Sequence, residues 1–276
     1  MRPVRRGLTV LTLSVSVVLI LATPALADVG PPPSSMASMG DSITRGFNAC
    51  GFYVDCTARS FSTGDSGGLY THYVRIAALN PAIIGHNYND ARSGAKVADM
   101  PGQADSAVSQ GVEYVTILIG ANDACTGSES TMTPVSTFRA SIDAALAKLR
   151  AGLPSARVEV ISIPDIKRLW EVGKGSWSAR TAWYLLGICQ SMLANPTSTA
   201  TQDVARRDRV RQRVVDFNTQ LAEACAAYGP SCVFDHNAVF SYPFVLSQIS
   251  VWDYFHPNAE GQKALAEISY RNGFNW

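Results

Sequence analysis

The chain has 276 residues, 47% of them hydrophobic and 16% charged, with a formal net charge of +1. That balance excludes an intrinsically disordered chain, which needs low hydrophobicity and high charge. It also supplies no strongly basic surface, so no nucleic-acid partner is expected.

The one long apolar run is N-terminal. Arg2, Arg5 and Arg6 precede a stretch from Leu8 to Leu21, followed by Pro24 and then Ala25-Leu26-Ala27. This is the layout of a secretory signal peptide cleaved near Ala27. The stretch is short for a membrane span, which takes about 20 residues. Residues 1–27 therefore read as a leader, and 28–276 as one secreted, extracellular domain. A chain of that size buries about three quarters of its unfolded surface. Gly30 to Ser35 is a short lead-in.

Beyond it, strands and helices alternate. Ser35 to Met39 reads as a first strand ending at Gly40. Leu69 to Leu79 has helical spacing and stops at Asn80-Pro81, and Ile83 to Tyr88 reads as a second strand. Tyr114 to Ile119 is apolar and β-branched, as a strand buried on both faces should be. Pro134 to Arg150 reads as a helix with Thr133 as N-cap, Pro134 in its first turn and Gly152 beyond its end. Val158 to Ile163 reads as another buried strand. Asp203 to Tyr228 is a long helix with Val210, Val214, Phe217, Leu221 and Cys225 on one face, and Ala259 to Tyr270 is the last helix. The alternation predicts a three-layer α/β/α domain on a doubly wound parallel sheet. In such folds chemistry collects just past the carboxyl ends of the strands.

All six cysteines, Cys50, Cys56, Cys125, Cys189, Cys225 and Cys232, follow the leader. An even number in an exported chain argues for disulfides. Six cysteines allow fifteen connectivities; a sequential pairing, 50–56, 125–189 and 225–232, is expected. No C-x-x-C pair points to a metal.

Three places carry chemistry. After the first strand comes Gly40-Asp41-Ser42-Ile43-Thr44, a serine at a strand-to-helix turn where backbone N–H groups face an anion. After the Tyr114 strand comes Gly120-Ala121-Asn122-Asp123, where an asparagine amide can donate to an oxyanion. Near the C-terminus, Asp253 stands three residues before His256, close enough to orient an imidazole whose other nitrogen serves a hydroxyl. Each piece alone also fits a turn or a helix cap. Together, in this order, they resemble the SGNH (GDSL-motif) serine hydrolases. The first block appears as M-G-D-S-I-T and the second as the Gly94 of Arg92-Ser93-Gly94-Ala95. The third is Gly120-Ala121-Asn122-Asp123, and the last is the D-x-x-H of Asp253 to His256. The surrounding text is most similar to secreted actinobacterial lipases and esterases and the phospholipase B-like branch. The resemblance implies a flavodoxin-like sheet, Ser42 as nucleophile, His256 as general base and Asp253 as its orienting acid. It also implies an oxyanion hole of Ser42 N–H, Gly94 N–H and the Asn122 side chain. In some relatives a backbone carbonyl replaces the acid, and that of Trp252 lies close in sequence.

Other features receive plainer readings. Gly64-Asp65-Ser66-Gly67-Gly68 imitates two serine-hydrolase motifs. No histidine precedes it and no apolar strand leads into it, so it reads as a surface loop. His72, His86 and His236 read as structural residues. Neither a metal-ligand pattern nor a Walker or dinucleotide glycine loop is present, so no cofactor is expected. The arginine-rich run 206–213 reads as a solvated helix face, the alternative being contact with an anionic lipid surface. Two aromatic stretches, Trp170 to Leu186 and Val239 to Phe255, read as core or as an acyl-binding pocket. The expectation is a monomeric, secreted ester hydrolase (lipase, esterase or phospholipase) acting on lipid or other small esters, with transient contact at a lipid interface. The alternatives are a carbohydrate O-acetylesterase and a non-catalytic binding module.

Overall fold

The computed structural model of the chain describes residues 30–274 together with Met1 and Trp276. The leader read from the sequence lies outside these residues. Five strands, β1 (Met36–Gly40), β2 (Asn87–Asn89), β3 (Tyr114–Leu118), β4 (Arg157–Val160) and β5 (Cys232–Phe234), form one sheet in the order β2-β1-β3-β4-β5. Every pairing is parallel. This is the doubly wound, flavodoxin-like order, whose direction reverses between β1 and β3.

The helices are α1 (His72–Leu79), α2 (Met100–Gln110), α3 (Ala121–Ala124), α4 (Val135–Gly152) and α5 (Ile166–Gly173). They continue with α6 (Trp177–Leu185), α7 (Gln190–Leu193), α8 (Thr201–Tyr228), α9 (Ala238–Ser241) and α10 (Ala259–Asn272). Side chains alternate across a strand, so Ala37, Met39, Val115, Ile117, Val158 and Val160 share one face and one core cluster. Helices α2, α4 and α8 pack on one another over that core. Met36 and Tyr114 point the other way, onto Ile76 of α1, Ile83 of the turn that follows it and Phe274 near the C-terminus. Among the described residues no helix is long and apolar enough to cross a membrane.

Several element boundaries differ from the sequence reading, each for a local reason. The strand expected to reach Ile163 ends at Val160, because side chains replace the ladder. Ser162 N–H donates to Asp235 Oδ1 (3.1 Å) and Ile163 N–H to Asn218 Oδ1 (2.8 Å). The second strand is only Asn87–Asn89, since Pro81–Ile83 is a 3₁₀ turn capped by Asn80. Thr133 does not cap α4. Its hydroxyl donates to Asp123 Oδ1 (2.7 Å), Pro134 stands at the cap position, and the helix runs through Gly152. Gly152 is required there because a Cβ would overlap Val108 of α2. The arginine-rich run is a solvated face only in part: Arg209 and Arg211 are exposed although paired, and Arg207 is buried. Arg207 is 2% exposed and donates to the Ser198 carbonyl, Arg209 pairs with Glu129, Arg211 with Asp165, and Arg213 donates to the Thr133 carbonyl. The run ties α8 to the loops around it.

Disulfides join Cys50 to Cys56, Cys125 to Cys189 and Cys225 to Cys232. The second links α3's end to α7 across a separation of 64 residues, and so restricts the unfolded chain most. Replacing Cys125 and Cys189 together by serine should cost about 4 kcal/mol of unfolding free energy, read from urea unfolding; a loss under ~1 kcal/mol would show that the bridge constrains little.

A buried polar chain crosses the second face. Glu159 of β4 is hydrogen-bonded to the Tyr114 hydroxyl (2.5 Å). The latter meets His72 Nδ1 (2.9 Å), and His72 Nε2 meets Ser269 Oγ (2.7 Å). Burial raises the Glu159 carboxyl to about 8 and lowers the His72 imidazole to about 3, so at neutral pH both are uncharged. For Glu159 the folded value lies above the unfolded one of about 4.3. Its contribution to stability is therefore fully present below that value and is lost as pH rises toward 8. Glu159→Gln should flatten the decline in melting temperature between pH 5 and pH 8.5; an unchanged decline would place the titrating group elsewhere.

Candidate active site

β1 and β3 are neighbours on either side of the switch in strand order, and the loops leaving their carboxyl ends diverge to open a crevice. Ser42 follows β1 by two residues, and Asn122 lies in the first turn of α3, just past β3. The turn between β1 and Ser42 is held from both sides. Gly40 N–H donates to Gln103 Oε1 (2.7 Å) while Gln103 Nε2 donates to the Gly40 carbonyl (2.9 Å). Gln262 of α10 donates to the Ile43 carbonyl (2.8 Å). Gly40 has φ +156°, and a Cβ there would overlap Thr44 Oγ1 and the Leu118 carbonyl oxygen. Only glycine lets β1 pass so close to β3 at this point.

His256 arrives from the far end of the chain. Its Nε2 lies 2.7 Å from Ser42 Oγ and its Nδ1 2.6 Å from Asp253 Oδ2. Asp253 is 1% exposed and accepts four donors. These are His256 Nδ1 and Asn48 Nδ2 (2.7 Å) on Oδ2, and the Phe255 and His256 backbone N–H groups (2.9 and 3.1 Å) on Oδ1. The Asp253 carboxylate, rather than the Trp252 carbonyl, thus faces the imidazole. With Nδ1 donating to the carboxylate, Nε2 carries the lone pair toward the hydroxyl. The rings of Phe47 and Phe255 stand 4.9 and 5.0 Å from the imidazole, centroid to centroid.

The loop after β2 and the first turn of α3 carry the two donors expected besides Ser42 N–H. Gly94 is exposed with φ +81°, and nothing lies within 4 Å of where its Cβ would be. Asn122 donates to the Ala95 carbonyl (3.0 Å), which ties this loop to the first turn of α3. Asp123, buried beside it, accepts from Val97 N–H (3.0 Å) and from Thr133. Gly120 has φ +121°, and a Cβ would come within 2.5 Å of Ile163 Cδ1.

Asp41 is fully buried. One oxygen accepts from Ile43 N–H (2.9 Å) and the other has no partner. Burial, opposed by the Ile43 hydrogen bond and by nearby His256, pushes its carboxyl up to about 7. The sequence reading did not single out Asn48, Gln103 or Gln262. Asn48, with φ +68° between Gly46 and Gly51, could have been noticed as a left-handed turn residue. The two glutamines carry no local signal.

An apolar pocket adjoins the crevice. Ile43, Ala121, Phe255 and Pro257 line it, and each is a sequence neighbour of Ser42, Asn122 or His256. Val172 and Phe244 come from the two aromatic stretches. The stretches divide: Trp183 is buried and donates to the Tyr254 carbonyl (2.8 Å), whereas Trp177 and Tyr184 are exposed. Ser66 of the imitating loop follows a stretch bound into the α1 side, where Gly64's carbonyl accepts from Thr71. His72 is structural, as described above. Among the described residues no group of three or more His, Cys, Asp or Glu side chains could hold a metal ion.

Residues 36–268 match the family model described as GDSL-like Lipase/Acylhydrolase. No curated protein matches the chain. Among solved structures, one from Parabacteroides merdae described as a GDSL-like lipase is 16% identical with a TM-score of 0.52, over 88% of this chain and 97% of that one. One from Streptococcus pneumonia described as a platelet activating factor is 14% identical with a TM-score of 0.50, over 88% and 84%. The extracellular lipase of Streptomyces rimosus is 20% identical with a TM-score of 0.47, over 85% and 97%. At such identities the first two speak for a shared fold.

The Gly40 contacts generate a test of the turn that carries the serine. Gly40→Ala should cost about 3 kcal/mol, through strain and overlap together, measured by urea unfolding; a cost below ~0.5 kcal/mol would mean that the turn yields easily.

Proposed function

The chain belongs to the GDSL-like lipase/acylhydrolase family, and on that premise we propose that it hydrolyses carboxylic esters of lipid-like substrates through an acyl-enzyme on Ser42. The observation that carries the reading is the continuous hydrogen-bonded line from Asp253 through His256 to Ser42 Oγ, opening beside an apolar pocket.

In this mechanism Ser42 Oγ attacks the ester carbonyl carbon as its proton passes to His256 Nε2. The new C–O bond places a negative charge on the former carbonyl oxygen. Ser42 N–H, Gly94 N–H and the Asn122 amide donate to it, and each such donor is worth about 10²- to 10³-fold in turnover. Asp253 holds the imidazole in the right tautomer and stabilises the imidazolium. The intermediate collapses, the C–O bond to the alcohol breaks, and the alcohol leaves with the proton from His256. Water, deprotonated by the same imidazole, then attacks the acyl-enzyme, and the serine recovers its proton. No step needs a cofactor.

The pocket beside Ser42 is lined chiefly by Ile43, Leu169, Phe244, Ile249 and Phe255, a surface suited to an acyl chain rather than to a sugar ring. The three disulfides fit an exported enzyme, and lipid or other small esters are its proposed partners. A series of p-nitrophenyl esters from acetate to palmitate, on wild type and Ser42→Ala, tests the reading. Medium or long chains should be preferred, and the variant should lose at least ~10³-fold in kcat/KM. Activity confined to the acetate would favour a carbohydrate O-acetylesterase instead. Failure of a fluorophosphonate to label Ser42 would leave a binding module.

A further inference from the structure

The loop between Ser42 and the Cys50–Cys56 disulfide reaches across to the other end of the chain. Asn48 lies at its turn, 1% exposed, and Asn48 Nδ2 donates to Asp253 Oδ2 at 2.7 Å. We propose that Asn48 is a positioning residue of the hydrolytic site, its amide holding the Asp253 carboxylate against His256. The proposal rests on the assignment of Ser42, His256 and Asp253 made above.

A left-handed turn alone explains why an asparagine or glycine stands at φ +68°. It does not explain where the side chain goes. The amide is buried with its Oδ1 unpartnered, which costs free energy. A carboxylate oxygen only accepts, so the amide must present its nitrogen. The charge-assisted bond that results offsets the orphaned oxygen.

That bond fills the last acceptor position of the carboxylate. Oδ1 is held by two backbone N–H groups of its own loop, whereas Oδ2 has only His256 and Asn48. Without Asn48, one side of Oδ2 is open and the carboxylate is free to rotate or admit water. The His256 Nδ1 bond then loses its fixed direction just as the imidazolium forms.

The loop is built to keep the amide in place. Asn48 N–H donates to the Val54 carbonyl (2.9 Å) and Gly51 N–H to the Asn48 carbonyl (3.0 Å). Cys50–Cys56 closes the loop, and the indole of Trp252, next to Asp253, donates to the Gly51 carbonyl (2.8 Å). Two hydrogen bonds thus join the loop after the serine to the loop before the histidine. The carboxyls that act on His256 are Asp253 and the buried Asp41, and Phe47 and Phe255 flank the ring.

Asn48→Gly separates the two roles, because glycine keeps the left-handed backbone without strain and removes only the amide. Its kcat on a preferred p-nitrophenyl ester should fall about 10- to 100-fold, with KM within about twofold and a melting temperature close to wild type. Asn48→Asp replaces the donor by a second carboxylate, whose charge favours the imidazolium. The acid limb of its kcat/KM profile should move to higher pH. An unchanged kcat for Asn48→Gly together with an unshifted limb for Asn48→Asp would overturn the proposal. So would a fall in kcat no larger than the loss of folded protein measured by circular dichroism. Ser42→Ala run in parallel separates the two failures: if it still hydrolyses the ester, the nucleophile is misassigned, whatever Asn48 does.

Discussion

A buried backbone group must find a hydrogen-bond partner, and at the carboxyl end of this sheet the strands stop before the burial does. Ile161 still donates to the Ile117 carbonyl of β3, but Ser162 and Ile163, fully buried beyond β4, have no strand partner for their N–H groups. Side chains supply the missing partners: Asp235 and Asn218 past β4, and Gln103 and Gln262 around the serine turn. Asp253 does the same before His256. All of these side chains except Asp253 come from a distant part of the chain. The same bonds that satisfy the backbone therefore fix the loops relative to one another.

That constraint explains how the loops carrying residues 42, 122 and 256 are held. Hydrogen-bonded side chains position the loops on the parallel sheet, and the sheet places the first two loops side by side at the reversal of strand order. Asp253 occupies a special place among them. It satisfies its own loop's N–H groups with one oxygen and orients the imidazole with the other, so folding and chemistry depend on one carboxylate. The polar chain through Glu159, Tyr114, His72 and Ser269 meets the same constraint on the opposite side, where burial removes the charges and nothing reactive follows.

Much of this was legible in the residues themselves. The β-branched run at 114–118 and the long amphipathic α8 declare their class because their burial is periodic. The small blocks around Ser42, Gly94, Asn122 and His256 are recognisable because each needs particular residue types in a fixed order. Helix α2 was not legible: its buried positions include Gln103, Ala104 and Ala107, too small and polar to make an apolar stripe. β5 is three residues long and gives no period to detect. The arginines of α8 look like a solvated face when counted along the helix. Their partners, Glu129, Asp165 and the Thr133 and Ser198 carbonyls, are brought there only by folding.

By itself the sequence determined the fold class, the order of the chemical blocks and the residue types able to act as nucleophile, base and oxyanion donors, because these follow from local pattern. Only the tertiary structure decided what those residues touch. The choice of the Asp253 carboxylate over the Trp252 carbonyl, the amide of Asn48 on that carboxylate and the pocket opening beside Ser42 all join residues far apart in the chain. The physical reason is that a hydrogen bond is set by distances of about 3 Å. Positions some two hundred residues apart acquire such distances only when the whole sheet is in register.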